Sequence, residues 1–458
     1  MPELIRRMSK EEPGEFYTPT DDPSTDFAIQ RDLPYRPTPV EPIKDYNIKM
    51  GQWTAKFDSS LVAQYNDNIG LGAPGVATTG PTDDFIITPS VGMQIAHPIS
   101  RYNGFRFDIS LGYASHVNFP QLDGLRVGPR SSMDFHFKVG DVTLTLYDEL
   151  SSSSDASTRT EVSGNGNPSS VNFQRLVNTI GLSANWNPTR TFSLTGGISY
   201  GLDRGLSDAF SQLNRDSRQF NLAAYQRVHT TLTLGLTSFY NDYTYPQRIQ
   251  NDGAIYGVGP LIAWHPSHFI NLSAAIHYTV TQFAKTGSIM DADEYAGLTY
   301  DFSVSHQIRQ RIFHSLTFSK NINTGYGSNF TDLLSVGYQI GWSMNSKTGV
   351  SLNTSFQQSK QSAAKFGLPQ NQLPFILLGG EEIIQYPAGS SIDPSTGLVL
   401  IPVTGEAADI YQVGLGFTRQ LGRRMNLGLG VSRIIRETAV SAQGYTQNTV
   451  TLTFGYRF

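Results

Sequence analysis

The sequence contains no cysteine and no long apolar run. Without cysteine there are no disulfides and no thiol chemistry, which fits an oxidising envelope compartment. An α-helical membrane protein needs runs of about 20 apolar residues, and none occurs in the 458 residues. The formal net charge of -4 is too small to indicate nucleic acid as a partner. Because the N-terminal residues have no apolar signal core, we expect that a signal peptide was removed or that the start was misassigned.

Patterns that carry catalysis or hold metals are also missing. The nine histidines are scattered, with no spacing typical of a metal site or a catalytic triad. Glycine-rich runs do not lead from a strand into a helix, which excludes a phosphate-binding loop. We therefore expect no enzymatic activity, no catalytic residues, no cofactor and no metal.

The C-terminal segment alternates with period two between apolar and polar residues. This alternation predicts a β-strand with two unlike environments. A final strand ending on an aromatic residue resembles the closing strand of bacterial outer-membrane β-barrels. The resemblance implies that Tyr456 and Phe458 form a signal for the barrel-assembly machinery. The apolar set is Val450, Leu452, Phe454, Tyr456 and Phe458, and the opposite set is Thr449, Thr451, Thr453, Gly455 and Arg457.

Alternating segments recur from Trp53 to the C-terminus, and we count about 18, or 16 if two weak ones are loops. An even number is typical of bacterial single-chain barrels. Such barrels place apolar residues at every second position, so the mean hydropathy stays low, here -0.26. The sequence predicts an all-β protein, a transmembrane antiparallel β-barrel spanning residues 51–458, in the bacterial outer membrane.

Connections between the segments are alternately short and long. Residues 139–141 and 187–190 are examples of the short kind, and residues 118–130 and 203–218 are examples of the long kind. Outer-membrane barrels have short periplasmic turns and long extracellular loops. A soluble β-sandwich has no reason to separate loop lengths in this way. An even strand number then places both termini in the periplasm.

Tryptophan marks one end of several segments. Trp186 and Trp264 each precede a proline-containing turn, and Trp342 precedes a turn without proline. Tryptophan at a strand end is typical of the lipid headgroup level, and proline beyond it ends the strand. A single tryptophan before a turn is explained by the ordinary way in which hairpin strands end. Its recurrence favours an aromatic girdle formed by Trp53, Trp186, Trp264 and Trp342.

Three regions do not alternate. Residues 1–50 are rich in proline and charge and cannot fold alone. We expect a flexible periplasmic arm, and the alternatives are binding of a periplasmic partner or folding back into the lumen. Residues 362–409 are too apolar for a disordered loop. They form either a hairpin extending beyond the membrane, which we favour, or a constriction folded inward. Residues 151–174 are rich in serine and glycine and predict a mobile external loop.

Several of the predicted long loops contain acidic residues, for example Asp83, Asp84 and Asp291. Such clusters can hold divalent ions that bridge lipopolysaccharide, but we favour ordinary solvated charge. Outer-membrane lipids and lipopolysaccharide are expected partners in any case, and a homo-oligomer is compatible with the fold.

The lumen face is where a function would reside, because barrels of 16–18 strands enclose an aqueous channel. Its charges can pair across the lumen, for example Lys56 or Arg106 with Asp108 or Asp134, or they can form a weakly selective constriction. We favour pairing. A polar and nearly neutral wall suits small hydrophilic solutes or saccharides. The candidate lumen residues are Lys56, Asp58, Arg106, Asp108, Asp134, His136, Lys138 and Asp301.

One stretch resembles a known family. Residues 53–118 resemble the opening of the outer-membrane β-barrel porin-2 family. The pattern consists of residues 53–65, the run Asn66-Asp67-Asn68-Ile69, a loop with Asp83-Asp84 and the run Ile86-Ile87-Thr88-Pro89-Ser90-Val91. The similarity extends over residues 50–458, with residues 65–69 and Thr88-Pro89 as its specific part. It implies an outer-membrane barrel, and several family members are linked to exopolysaccharide export. Two hypotheses follow: a passive diffusion channel, or a non-conducting accessory barrel of an envelope or exopolysaccharide assembly system.

Overall fold

Eighteen antiparallel strands close into one barrel in the computed structural model. The first strand pairs with the second on one edge and with the last on the other. The predicted fold class is therefore confirmed, with 18 strands and not 16. The strands are β1 (Trp53–Asn66), β2 (Asp84–Pro98), β3 (Gly104–His116), β4 (Ser131–Val139), β5 (Val142–Ser153), β6 (Arg175–Trp186), β7 (Phe192–Gly205), β8 (Arg215–His229), β9 (Leu232–Thr244), β10 (Gly253–Ser267), β11 (Ile270–Phe283), β12 (Ala296–Ile308), β13 (Ile312–Thr324), β14 (Phe330–Asn345), β15 (Thr348–Gln361), β16 (Ala407–Leu421), β17 (Met425–Thr438) and β18 (Tyr445–Arg457).

The structure describes most of the chain outside the N-terminal segment and several loops. Residues 1–41 and 154–174, on which two of the predictions above fall, lie outside the described part. The described residues are 42–43, 45–69, 82–128, 131–153, 175–206, 214–248, 250–287, 291, 293–309, 311–325, 328–362, 407–438 and 444–458, with the backbone of five short strands between residues 364 and 403.

Short and long connections lie at opposite ends of the barrel. Turns such as residues 140–141 and 346–347 follow the even-numbered strands. Longer connections such as residues 67–83 and 245–252 follow the odd-numbered strands. The predicted segregation of loop lengths is confirmed, and it assigns the short turns to the periplasm.

Alternation along each strand separates an apolar outer face from a polar inner face. Leu236, Ile276 and Val413 point outward and remain about half exposed. Their neighbours Thr237 and His277 belong to the opposite face of the sheet. A closed antiparallel barrel with an exposed apolar belt and a polar interior is the architecture of an outer-membrane barrel. The outer-membrane localisation, and the barrel that the family resemblance implied, are confirmed. Among the described residues, no helix is long and apolar enough to cross a membrane.

The four predicted girdle tryptophans all lie on the outer face, near the end that carries the short turns. Trp53, Trp186, Trp264 and Trp342 are each 43–47% exposed. The Trp53 ring stacks on the imidazole of His97, with ring centroids 4.2 Å apart. Tryptophan near strand ends is typical of the lipid headgroup level, and the role of these four residues as a girdle stays a prediction.

The seam between the first and last strands is completed by a short N-terminal hairpin. β18 pairs with β1 only between Asp58 and Asn66. Residues Ile48–Met50 pair with Trp53–Ala55 and so cover the part of the β1 edge that β18 leaves open. Asn47 links β1 to the C-terminal residue that follows β18. Its Oδ1 accepts a hydrogen bond from the Phe57 amide at 2.7 Å, and its Nδ2 donates one to the Phe458 carbonyl. The boundary at residue 50 thus falls inside a hairpin that belongs to the barrel.

We expect Asn47→Ala to destabilise this seam modestly. The substitution removes two side-chain hydrogen bonds at an exposed site, which together contribute about 1 kcal/mol. The measurement is the urea midpoint of unfolding in detergent micelles, followed by the far-ultraviolet signal of the β-sheet. Gln52→Ala, an exposed change in the same hairpin, is the control. An equal shift for both variants would show that Asn47 does not hold the seam.

The long insertion after β15 contains its own small sheets. Ala364–Leu368 pairs with Val399–Val403, and the latter also pairs with Ser391–Ile392. Phe375–Leu378 pairs with Glu381–Ile384. Within the described backbone these strands pair with one another and not with the barrel sheet. The predicted insertion, residues 362–409, is thus too long at its end, because residues 407–409 are the beginning of β16.

Candidate functional site in the lumen

Seven of the eight predicted lumen residues lie on one inner wall, formed by β1, β3 and β4. All are partly exposed. They share the inner face because each belongs to the opposite parity from the exposed apolar residues of its strand. We call them the charged wall: Lys56, Asp58, Arg106, Asp108, Asp134, His136 and Lys138.

The register of the strands brings these side chains together in rows. Arg106 on β3 lies directly opposite Asp134 on β4. Gln94 on β2 lies opposite Lys56 on one side and opposite Asp108 on the other. Since Gln94 is uncharged, Lys56 and Asp108 are two strand spacings apart, about 10 Å between backbones. The wall therefore carries its charges at every second residue along β1, β3 and β4.

The charged wall has no internal ion pair. Among the described residues, no nitrogen of Lys56, Arg106 or Lys138 lies within 4.0 Å of a carboxylate oxygen, although ion pairs of that length occur elsewhere in the barrel. The Oδ1 atom of Asp108 is buried and accepts no hydrogen bond. The predicted pairing of Lys56 or Arg106 with Asp108 or Asp134 is therefore wrong. Two residues that lie directly opposite each other on paired strands have neighbouring backbones. Their long side chains can still extend into the lumen without contacting each other.

A glycine on β2 allows one carboxylate to lie against the wall. Gly92 is opposite Asp58. A Cβ atom at position 92 would be only 2.7 Å from the Asp58 Oδ1. The carboxylate therefore occupies the space that a side chain at position 92 would fill, and it stays close to the backbone of the sheet.

The structure adds Arg457 to this wall, a residue absent from the predicted set. Arg457 lies opposite Asp58, on the same inner face, where β18 closes onto β1. Alternation along β18 is enough to place Arg457 on the polar inner face. The sequence does not show which residues lie beside it, because the register between the first and last strands depends on how the barrel closes.

Asp301 is the predicted residue that does not join the charged wall. It lies on β12, across the lumen, where the Asn321 Nδ2 is 3.4 Å from its Oδ1. His277 is on the neighbouring strand β11, and its Nε2 is 2.6 Å from the Thr237 Oγ1. Asp301 is thus part of a separate polar wall.

A second group of charges, which the sequence did not indicate, lies near the extracellular end. Arg175 on β6 is 1% exposed and forms an ion pair with Asp203 on β7. Arg215 on β8 approaches the same carboxylate, with 3.4 Å between its Nε and the Asp203 Oδ2. Arg215 also donates to the Thr324 hydroxyl on β13. We call these four residues the mouth bridge, because they join strands that are five positions apart in the barrel.

Apolar packing accompanies this bridge. Ile322 near the end of β13 packs with Tyr243, Tyr245 and Ile255, which come from β9, the following loop and β10. The end of the β13–β14 hairpin therefore leans over the mouth instead of continuing straight along the barrel wall.

The extracellular loops are joined by a buried carboxylate. Asp291 is 1% exposed. It accepts hydrogen bonds from the Asn329 amide at 2.7 Å, the Ser362 hydroxyl at 2.6 Å and the Asp293 amide at 2.9 Å. The Asn251 Nδ2 donates to the Asp291 carbonyl at 3.1 Å. We call this group the loop clamp.

Acidic loop residues thus differ from the expectation of solvated charge. Asp84 is also fully buried, and its Oδ1 accepts from the Asn118 amide at 2.8 Å. Both Asp84 and Asp291 bond backbone amides of neighbouring loops. Isolated loop sequences do not reveal this, since the donors come from distant segments of the chain.

The remaining predicted sites concern the chain end and metals. Tyr456 and Phe458 lie at the periplasmic end of β18, with ring centroids 5.1 Å apart. Their role as an insertion signal stays a prediction. Within the described residues, no group of three or more His, Asp or Glu side chains is close enough to hold a metal ion.

No protein-family model matches the sequence, and no curated protein matches it. Several solved outer-membrane structures are similar in architecture. Pseudomonas aeruginosa OpdK is 11% identical, with 88% of this chain and 99% of that chain covered at a TM-score of 0.46. P. aeruginosa OccK2 (OpdF), solved with glucuronate, is 11% identical over 89% and 98% of the two chains, with a TM-score of 0.47. Acinetobacter baumannii OccAB4 is 9% identical over 88% and 98%, with a TM-score of 0.46.

Proposed function

We propose that this protein is an outer-membrane channel for passive diffusion of small hydrophilic solutes, including saccharides. The charged wall carries the proposal, because its side chains are partly exposed and form no internal ion pair. Charged groups in the interior of a structural plug are normally paired, since an unpaired buried charge is strongly destabilising. Groups that face an aqueous lumen need no such partner. An 18-stranded barrel is wide enough for that lumen.

A second proposal concerns the N-terminal arm, which we suggest partly occludes the lumen at the periplasmic end. The Ile43 amide donates a hydrogen bond to the Thr54 Oγ1 at 3.0 Å. Thr54 has the same parity as Lys56, so its side chain is on the lumen face, and it is 1% exposed. The chain is therefore attached to the inner rim of the barrel at Ile43.

Single-channel conductance in planar bilayers tests both proposals. The full chain is compared with a variant lacking residues 1–41, which keeps the seam hairpin intact. We expect discrete conductance steps from the full chain and larger steps from the truncated one, because the lumen mouth loses an obstruction. Equal steps would make the arm peripheral. If neither protein conducts, the channel proposal fails and the accessory barrel is favoured.

A further inference from the structure

We propose that the charged wall makes this channel preferentially permeable to small zwitterions, of which α-amino acids are the simplest class. The inference rests on the proposed channel function and deepens it. It follows from the juxtaposition of unpaired cations and carboxylates on one side of the lumen, together with a second wall that lacks this alternation.

Both signs of charge are present on the charged wall. Its carboxylates are Asp58, Asp108 and Asp134, and its cations are Lys56, Arg106, Lys138 and the added Arg457. On β1 and on β3 a cation and a carboxylate lie two residues apart on the same face. Arg106 and Asp134 are direct register partners, yet they form no ion pair within the 4.0 Å limit that the mouth bridge meets. Each therefore retains hydrogen-bonding capacity toward the lumen. A guanidinium binds carboxylates through two parallel donors, and a carboxylate accepts from an ammonium group.

A solute with one ammonium and one carboxylate group satisfies both partners together. Its carboxylate binds Arg106, while its ammonium binds Asp134, the register partner of Arg106 on the neighbouring strand. A simple anion or cation is attracted by one member of each row and repelled by the other. A neutral sugar gains only ordinary hydrogen bonds, which are weaker than charge-assisted ones. The zwitterion is thus the class that gains most from this wall.

The opposite wall does not offer the same arrangement. Asp301 has the Asn321 amide beside it and no cation within the ion-pair limit among the described residues. His277 bonds the Thr237 hydroxyl. A zwitterion therefore gains nothing comparable there, and selectivity should depend on the charged wall alone.

Two structural isomers provide a direct test. Alanine and lactamide have the same atoms and nearly the same size, but alanine is a zwitterion and lactamide is neutral. Initial swelling rates of liposomes containing the full-length protein are measured with each solute. We expect alanine to enter about fivefold faster, the effect of one partly solvated ion pair. The double variant Arg106→Gln/Asp134→Asn should reduce this ratio to about one.

A matched control removes the same two charges elsewhere. Lys320 and Asp332 form an ion pair of 3.2 Å and have the parity of the exposed Phe318 on the outer face. Lys320→Gln/Asp332→Asn should therefore leave the isomer ratio at its original value. Equal entry of both isomers into wild-type liposomes would overturn the zwitterion inference while the channel proposal stands. Entry of neither isomer would overturn both.

Discussion

Replacing Asp291 with alanine should release the extracellular loops from one another. The carboxylate accepts three hydrogen bonds, from the Asn329 amide, the Asp293 amide and the Ser362 hydroxyl. Without it these buried donors lose their acceptor. Each lost hydrogen bond to a charged group contributes about 1.5 kcal/mol or more, so local opening should become easier by at least about 3 kcal/mol.

Trypsin cleavage after Lys285 is the measurement that reports this release. Lys285 is exposed in the loop between β11 and β12, which is held to the loop clamp by a 3.0 Å hydrogen bond from the Gly287 amide to the Asn251 Oδ1. Proteolysis follows the population of the open state when opening is fast. A change of about 3 kcal/mol corresponds to a roughly 100-fold faster cleavage. The expected product is a single nick, with the barrel itself intact.

Glu294→Ala is the matched control, because Glu294 is exposed in the same loop and is not an acceptor in the clamp. Its cleavage rate should stay within about twofold of the wild-type rate. If Asp291→Ala is cleaved no faster than Glu294→Ala, the loop clamp is held by the backbone contacts of residue 291 and not by its carboxylate.

Strand periodicity was enough to predict the barrel, because each strand faces two solvents of opposite polarity. Val450, Leu452 and Phe454 had to share a face whatever their neighbours were. The lengths of connections then predicted which end is periplasmic. The hairpin at residues 48–50 was missed, since three residues are too few for a periodic signal and its pairing depends on where β18 ends.

The sequence predicts which residues face the lumen, but it does not predict which of them form ion pairs. Placing Lys56, Arg106 and Asp134 on the inner face needed only alternation along their own strands. Whether Arg106 forms an ion pair with Asp134 depends on side-chain conformations in a wide cavity, and here it does not. Arg457 was missed as a neighbour of Asp58 because 398 residues separate the two strands that pair (positions 58 and 457, with 59–456 between them).

The mouth bridge and the loop clamp had no sequence signal. Arg175 and Asp203 are ordinary polar residues at strand ends until the barrel brings β6 and β7 together. Asp291 is one acid among several in a loop. Both groups are defined by contacts between segments far apart in the chain, and such contacts are set by the closed fold rather than by local pattern.

Asp203→Ala is expected to be the most destabilising single substitution in the barrel wall. It leaves the Arg175 guanidinium, whose side chain is 1% exposed, without the carboxylate that its Nε contacts at 2.7 Å. It also removes the carboxylate that the Arg215 Nε approaches at 3.4 Å. Removing one partner of a buried ion pair costs about 3–5 kcal/mol. The measurement is the free energy of unfolding in urea and detergent micelles, followed by the far-ultraviolet β-sheet signal.

An ion pair between β7 and the next strand, β8, provides a control for burial. Arg204 and Asp216 form an ion pair beside the first, but their side chains are 33% and 26% exposed. Because solvent screens such a pair, Asp216→Ala should lower the unfolding free energy by no more than about 1 kcal/mol. Equal losses for Asp203→Ala and Asp216→Ala would contradict the importance of burial in the mouth bridge.

A second substitution distinguishes two causes of the lost stability, the missing contacts of Asp203 and the buried charge of Arg175. If the penalty comes from the buried charge of Arg175, then Arg175→Met in the Asp203→Ala background should restore most of the lost stability, since an apolar side chain of similar length removes the charge. If the penalty comes from the missing contacts alone, the double variant should be no more stable than Asp203→Ala. Because Arg215 also reaches Thr324 across the mouth, the double variant should still show larger current fluctuations than the wild type. If the double variant regains stability but its current still fluctuates more than that of the wild type, the carboxylate of Asp203 has two roles. It neutralises Arg175 and it holds Arg215 in place.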